Sequence, residues 1–302
     1  MKLVLVNKSV DCFPVTSVND NVIVNIYRNE IQTKIMRILR KLHLMSFLPF
    51  KSLWLNKEVR NIDKYDKIII FDTGNVKYII DYLSKRNRNV KIILWYWGAV
   101  SISVNPNLIN RNKCSIWTFD KDDSVSYGMK LNSQFFFKEN IRFSSKIKWD
   151  VCFIGTEKNR LSLLISLENK FNILGLTTYF HIVKSNSIYT SSNEFNYSKP
   201  ISYNESLTLV SETKAILDIV SNDQNGLTLR PLEALFLKKK LITNYANIKS
   251  TLLYKLNSIN IFILGEDDDS KLIDFINSSF DETNYLELTK YYSFDSWINR
   301  FE

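Results

Sequence analysis

Apolar positions fall in short runs along the chain, separated by longer stretches in which they recur every three to four residues. The runs Leu3–Val6, Lys67–Phe71, Val90–Tyr96 and Ser115–Phe119 are rich in β-branched and aromatic residues. Polar or turn residues separate them, the pattern of strands covered on both faces. Between them the spacing predicts helices over 28–46, 75–86 and 121–130. A second series follows, with strands at Asp150–Ile154, Tyr179–Val183, Ala215–Val220, Lys240–Thr243 and Asn260–Leu264. Its helices are predicted over 158–170, 204–213, 227–237, 269–279 and 284–299. Strand and helix alternate through both halves. The expected fold class is therefore α/β, two Rossmann-like domains with parallel sheets facing a cleft. The polar, basic stretch ENIRFSSKIKW at 139–149 sets the expected boundary, giving domains 1–145 and 146–302, with the last helix able to pack back on the first. Ligands of such sheets bind beyond the carboxyl ends of the strands, so the residues just after each strand are where chemistry is sought.

Composition narrows the class. A length of 302 residues suits two domains, and 45% hydrophobic with 24% charged residues excludes global disorder. Seven Gly and five Pro are too few for a loop-dominated or fibrous protein. The three cysteines, Cys12, Cys114 and Cys152, are odd in number and widely spaced, with no CxxC. That argues against a disulfide framework or a structural zinc site and for buried thiols in a reducing cytosol. The opening MKLVLVNKSVD is too short in its apolar run for a signal peptide. No stretch of about 18 uncharged apolar residues occurs. The expectation is a soluble, cytoplasmic protein without a membrane span.

Forty Lys and Arg against 31 Asp and Glu leave a net charge of +9. The concentration of it lies in KIMRILRKLHLMSFLPFKSLWL at 34–55, whose first half reads as a basic amphipathic helix ended by Pro49. Two readings stay open. Arg37, Arg40 and Lys41 face an anionic bilayer with the apolar side chains beneath them, or the helix packs on the core with its basic face in water. No helix-turn-helix, zinc-finger or RNP signature supports nucleic acid as a partner.

Two constellations sit at strand ends. In Val151-Cys-Phe-Ile-Gly-Thr-Glu-Lys-Asn-Arg160 a strand runs into Gly155 and then a helix, with Lys158 and Arg160 at the turn. Free N–H groups at a helix start and these two cations suit a pyrophosphate, although an ordinary βα turn reads the same way. The segment from Ile216 to Asn244 reads strand, polar turn, helix, basic turn, strand, with Gly226 and Thr228 at the helix entry. Arg230 is suited to phosphate oxygens, and Glu233, three residues on, shares its face and can accept both hydroxyls of a ribose. Spacing alone reads the pair equally well as an intrahelical ion pair.

The segment GLTLR-PLEAL-x4-KLIT resembles the nucleotide-sugar-binding core of GT-B glycosyltransferases, and within them the bacterial surface-polysaccharide enzymes of the CgeB-like group. DVCFIGTEKNR resembles the first βα unit of the same domain, and ISYNE at 201–205 followed by ILDIV extends the likeness over 150–265. It reaches more loosely to IIIFDTG and SIWTFDKDD. The resemblance implies a transferase acting on a nucleoside-diphosphate sugar and a lipid-linked glycan or lipopolysaccharide acceptor, as in O-antigen synthesis. That places it in the cytoplasm, peripheral on the inner face of the inner membrane, with no obligatory cofactor. It implies Glu233 as ribose ligand; Arg230, with Gly226 and Thr228, as diphosphate contact; Gly155 and Arg160, assisted by Lys158, as first phosphate loop; and Thr243 and Asn244 as the strand end that follows. Asn225 stands where the first Glu of the retaining E-x7-E pattern belongs, so the stereochemistry stays open.

The resemblance puts acceptor binding in the first half, where an inverting transfer needs a base. Neither His43 nor His181 is well placed, leaving Asp72 of IFDTG, beside Gly74, or Asp120 of TFDKDD. Each also reads as a helix N-cap. A rival remains in Asp120-Lys-Asp122, which has the form of a GT-A DxD motif that would hold Mg²⁺ or Mn²⁺, with Asp267–Asp269 as a second acidic run. A non-catalytic nucleotide-sugar-binding protein of the same fold is the other alternative.

Overall fold

The computed structural model describes residues 1–6, 17–18, 21–28, 33–73, 75–141, 143–144, 146–185, 195–220 and 226–301. It divides into two compact units, Met1–Asn132 with Phe301, and Ser133–Arg300. The division falls ahead of the 139–149 stretch because Phe135–Phe137 already pack within the second unit. Phe136 stacks on Phe236 with ring centroids 4.7 Å apart, and Phe137 on Phe294 at 4.6 Å.

The first unit runs β1 (Lys2–Val6), β2 (Ser17–Val18), β3 (Asn21–Asn25), α1 (Lys34–Met45), α2 (Lys57–Arg60), β4 (Lys67–Phe71), α3 (Val76–Arg86), β5 (Lys91–Tyr96), β6 (Ser115–Thr118), α4 (Lys121–Tyr127) and β7 (Lys130–Leu131). The sheet order is β2-β3-β1-β4-β5-β6-β7, parallel except for β2. In β1 and β4 every residue after the first is buried, as expected of strands covered by helices on both faces. The strand β3 was not predicted. Its NVIVN alternates buried and half-buried residues between asparagines, one strand in from the sheet edge. Helix α3 buries Val76, Ile79, Ile80 and Leu83, a stripe at i, i+3, i+4 and i+7. Phe301 returns to this unit and lies edge-on to Trp95 and Trp117.

The second unit runs β8 (Trp149–Thr156), α5 (Leu161–Ile173), β9 (Thr178–Val183), α6 (Tyr203–Ser211), β10 (Thr213–Asp218), α7 (Leu229–Phe236), β11 (Lys240–Thr243), α8 (Leu252–Asn257), β12 (Ile261–Ile263), α9 (Leu272–Asn277), α10 (Tyr285–Tyr291) and α11 (Phe294–Asn299). Its sheet, β12-β11-β10-β8-β9, is wholly parallel. Alternate residues of one strand serve opposite faces. Cys152 and Ile154 join one core with Ile216, while Val151 and Phe153 join the other with Ala215 and Leu217. Helices therefore cover both sides. A capping box of Ser202 and Glu205 starts α6.

The helix predicted over 284–299 is two. The backbone of Phe136 inserts at the break, its N–H donating to Tyr292 O (2.8 Å) and its carbonyl accepting from Phe294 N–H (3.1 Å). Ser293 then caps α11. Helix α1 starts at Lys34 rather than 28; part of the difference, 29–32, lies outside the described residues. Cys12 also lies outside them, while Cys114 and Cys152 are buried free thiols pushed up to about 12 by burial.

Candidate functional site

Strand order in the second sheet reverses around β8. Its sequence neighbour β9 lies on one side and β10 on the other, and from β10 the sheet continues to β11 and β12. That reversal is the topological switch point, where the loops leaving β8 and β10 diverge and open sheets of this kind hold ligands. The residues leaving these two strands at their carboxyl ends are Glu157–Arg160 and those that follow Asp218.

Arg230 ties α7 to the end of β8. Its guanidinium donates to Ile154 O at the end of β8 (2.8 Å), reaches Ser206 Oγ of α6 (3.4 Å), and pairs with the Glu233 carboxylate one turn on. The side chain of Glu233 is 1% exposed and that of Arg230 21%. Burial, the largest single influence, lowers the guanidinium; Glu233 first, with Tyr203 and Cys152, together turn the net direction up. The ion pair read from spacing is thus present, fixed by a strand end and a second helix. For Arg230 to meet a phosphate its outer edge must do so while Ile154 O holds the inner one.

Thr228 is the N-cap of α7. Its Oγ1 accepts from Arg230 N–H (3.3 Å) and donates to Asp218 Oδ2 (3.2 Å). Asp218, the last residue of β10, is 5% exposed. Burial pushes its carboxyl up to about 6 although Arg160, Thr228 and Arg230 pull it down. The sequence reading passed over it as a strand-interior residue; a carboxylate closing the apolar run KAILD was the available signal. Gly226 is buried beside this cap. Asn225 lies outside the described residues.

Gly155 was expected at the turn after β8 but lies inside the strand, opposite Ile182. A Cβ there would meet Phe153 at 3.4 Å, ordinary contact, so the backbone does not require glycine. The turn comes later, at Lys158 and Asn159, with left-handed φ of 44° and 59°. Two successive non-glycine residues in that region store backbone strain, a feature that gathers at ligand loops. Burial lowers the Lys158 ammonium, Arg160 adds to this, and Asp218 opposes it. Arg160 holds the N-cap position of α5 and donates to Thr156 O (3.0 Å). Glu157, also overlooked, is 1% exposed and accepts from Tyr197 Oη (2.6 Å). Thr243 and Asn244 have local partners. Thr243 Oγ1 accepts from Tyr245 N–H (3.1 Å), and Asn244 clamps Val220, accepting its N–H (2.7 Å) and donating to its carbonyl. These bonds shape the strand ends.

In the first unit Asp72 follows β4, next to the switch between β1 and β4. It does not cap α3, whose N-cap is Asn75. Instead Oδ1 accepts from Trp97 N–H (2.9 Å) and Oδ2 from the Ser103 hydroxyl. Burial raises its pKa against these two bonds. Asp120 is the N-cap of α4, accepting from Asp122 and Asp123 N–H. Gly74 lies outside the described residues. The acidic run at 267–269 faces three separate partners. Asp267 accepts from Ile263 N–H, Asp268 from Ser270 N–H, and Asp269 pairs with Lys170. Among the described residues no three His, Cys, Asp or Glu side chains gather to hold a metal.

The basic segment departs from expectation. Arg37 and Lys41 of α1 are exposed, but Arg40, expected to face outward with them, is 9% exposed and lies 3.7 Å over the Tyr27 ring. Its inward turn leaves Ile35, Ile38, Leu39 and Leu42 exposed. No helix among the described residues is long and apolar enough to cross a membrane.

No protein-family model and no curated protein matches the sequence. Solved structures do. The lipopolysaccharide outer core galactosyltransferase WaaB aligns over 100% of this chain and 98% of its own, with TM-score 0.50 and 10% identity. AviGT4, a glycosyltransferase involved in avilamycin A biosynthesis, aligns over 99% and 95%, again with TM-score 0.50 and 10% identity. The fold is GT-B. The UDP-GlcNAc 2-epimerase of Methanocaldococcus jannaschii, with UDP-GlcNAc and UDP, aligns over 93% and 94% at TM-score 0.44 and 14% identity. The two Rossmann-like sheets of the GT-B fold are not the single N-terminal nucleotide-binding sheet that the GT-A alternative requires.

Proposed function

We propose that the chain is a glycosyltransferase using a nucleoside-diphosphate sugar held by the second unit. The observation that carries this is the gathering at the switch point of Arg230, bonded to the end of β8, with Thr228 bonded to Asp218 and Asp218 in electrostatic reach of Lys158 and Arg160, where this fold class holds nucleotides. Glu233 takes the ribose hydroxyls. Arg230, Arg160 and Lys158 face the diphosphate together with the N–H groups that open α5, and Gly226 and Thr228 shape the entry to α7. As the bond between the anomeric carbon and the diphosphate oxygen breaks, its electron pair leaves with the diphosphate, and these cations and dipoles stabilise that charge. No metal is obligatory.

The acceptor belongs to the first unit and is a lipid-linked glycan or lipopolysaccharide met at the inner face of the inner membrane, as in surface-polysaccharide or O-antigen synthesis. In an inverting transfer the acceptor oxygen attacks the anomeric carbon and its proton passes to Asp72. The burial that raises this carboxylate toward neutrality suits it to that work. Asp120, held by two backbone N–H groups of its own helix, is the second choice.

The test is donor turnover by wild type and by Glu233→Ala. Wild type is expected to transfer from, or slowly hydrolyse, at least one nucleotide sugar, and the variant to do neither. A wild type that binds a nucleotide sugar but never turns it over with any lipid-linked acceptor makes the protein a non-catalytic binder. Inversion at C2 without transfer makes it an epimerase.

A further inference from the structure

Helix α1 is amphipathic in the opposite sense from an ordinary surface helix. Its inner side carries Arg40 over Tyr27 and buried Leu44, and its outer side carries Ile35, Ile38, Leu39, Leu42 and Met45. The apolar surface continues past the helix through Phe47, Leu48 and Phe50, all exposed. Single exposed apolar residues are normal; a contiguous group of this size marks a contact surface.

The tip is held in place. Trp54 Nε1 donates to His43 Nδ1 (2.8 Å), so the His43 Nε2–H donates to Pro49 O (2.9 Å). Lys51 Nζ donates to Leu44 O (3.1 Å) and to Ser46 O, closing the end of α1. Phe50 holds a left-handed φ of 63°, strained for an aromatic residue, while its side chain stays in solvent. The chain thus presents large apolar side chains on a braced turn.

Charge selects the occupant. Between Thr33 and Asn56 the sequence has five cations and no carboxylate, and Arg37 and Lys41 are exposed beside the apolar side chains. A second copy would set these cations against themselves, whereas an anionic lipid surface takes apolar side chains and cations together. We infer that α1 and the turn Ser46–Lys51 form a docking surface for an anionic bilayer, with Phe47, Leu48 and Phe50 entering the acyl boundary and Arg37 and Lys41 at the headgroups. This deepens the membrane-borne acceptor proposed above and rests on that reading for its purpose.

The test is flotation of the full chain with vesicles of phosphatidylcholine alone or mixed with phosphatidylglycerol. Wild type is expected to float with the anionic vesicles and not with the neutral ones. Phe47→Ser with Leu48→Ser is expected to reduce partitioning at least about tenfold, since each large side chain loses its burial. Arg37→Glu with Lys41→Glu is expected to remove the preference for the anionic vesicles. No flotation of wild type, or flotation of the serine pair equal to wild type, overturns the inference. So does a concentration-dependent dimer that the serine pair makes monomeric, because a second copy then covers the surface. Thermal shift by nucleotide sugars separates the two readings. Vesicle binding without any such shift leaves the docking surface standing and sinks the transferase reading. An unchanged shift in a serine pair that no longer floats shows a folded chain that has lost docking alone.

Discussion

Replacing Asp218 by asparagine is expected to make the protein more stable, and only above mildly acidic pH. Burial pushes this carboxyl from an ordinary 3.8 up to about 6. The difference is about 2 units, and at 1.36 kcal/mol each this is about 3 kcal/mol. The folded chain binds the proton more tightly than the unfolded chain does. Stability is therefore lost as pH rises from about 4 to 6, and the whole penalty stands above that. Asparagine has nearly the same shape, and its Oδ1 still accepts the Thr228 hydroxyl, but it carries no charge to desolvate. The variant is expected to exceed wild type by about 3 kcal/mol at neutral pH, with the advantage vanishing near pH 4. Urea unfolding of both proteins, followed by circular dichroism from about pH 4 to 8, measures the difference. Equal stability at neutral pH, or a gain that does not change with pH, refutes the reasoning. A carboxylate kept at such a cost beside two arginines at a strand end is the pattern of a site rather than of a scaffold.

Glu233→Gln keeps the shape of the side chain and a hydrogen bond to Arg230, so it is expected to fold while nucleotide-sugar affinity by calorimetry falls at least about tenfold; unchanged affinity ends the ribose role. Glu233→Ala leaves the Arg230 charge without its partner and is expected to lose about 3–5 kcal/mol in urea unfolding. Asp72→Asn is expected to slow transfer about 100-fold or more at saturating donor with donor affinity unchanged; an equal rate moves the base elsewhere or makes the reaction retaining. EDTA is expected to leave transfer intact, whereas loss restored by Mn²⁺ supports metal-dependent chemistry. Trp297→Ala removes a fully buried ring packed 4.1 Å from Phe135 and is expected to cost about 3–5 kcal/mol by urea unfolding.

Strands covered on both faces could be read from sequence because burial leaves a continuous apolar run. KIIIF and KLIT begin and end where the pattern put them. The half-buried β3, with asparagines at both ends, left no such run. The break between α10 and α11 has no local signal, since the backbone that forces it belongs to Phe136, far away in sequence. The orientation of α1 was equally hidden. Its twelve residues separate an apolar side from a basic one, but the pattern does not say which side meets the core, and the ring of Tyr27, beyond the end of β3, draws Arg40 inward. At the strand ends the pairing of Arg230 with Glu233 followed from their spacing. That Ile154 and Ser206 hold the same guanidinium is a tertiary fact. Gly155 misled because a glycine near a strand end suggests a turn, whereas the turn here is built by Lys158 and Asn159.

The central claim is that the second unit holds a nucleoside-diphosphate sugar at the ends of β8 and β10. Thermal unfolding with a panel of nucleotide sugars tests it most directly, because a ligand at about 100 times its Kd adds about 2.7 kcal/mol of stability. At least one nucleotide sugar is expected to raise the midpoint of wild type saturably and to stabilise Glu233→Gln by no more than about half as much at the same concentration. A wild type that no nucleotide sugar and no nucleoside diphosphate stabilises, or a Glu233→Gln variant stabilised as much as wild type, contradicts the account.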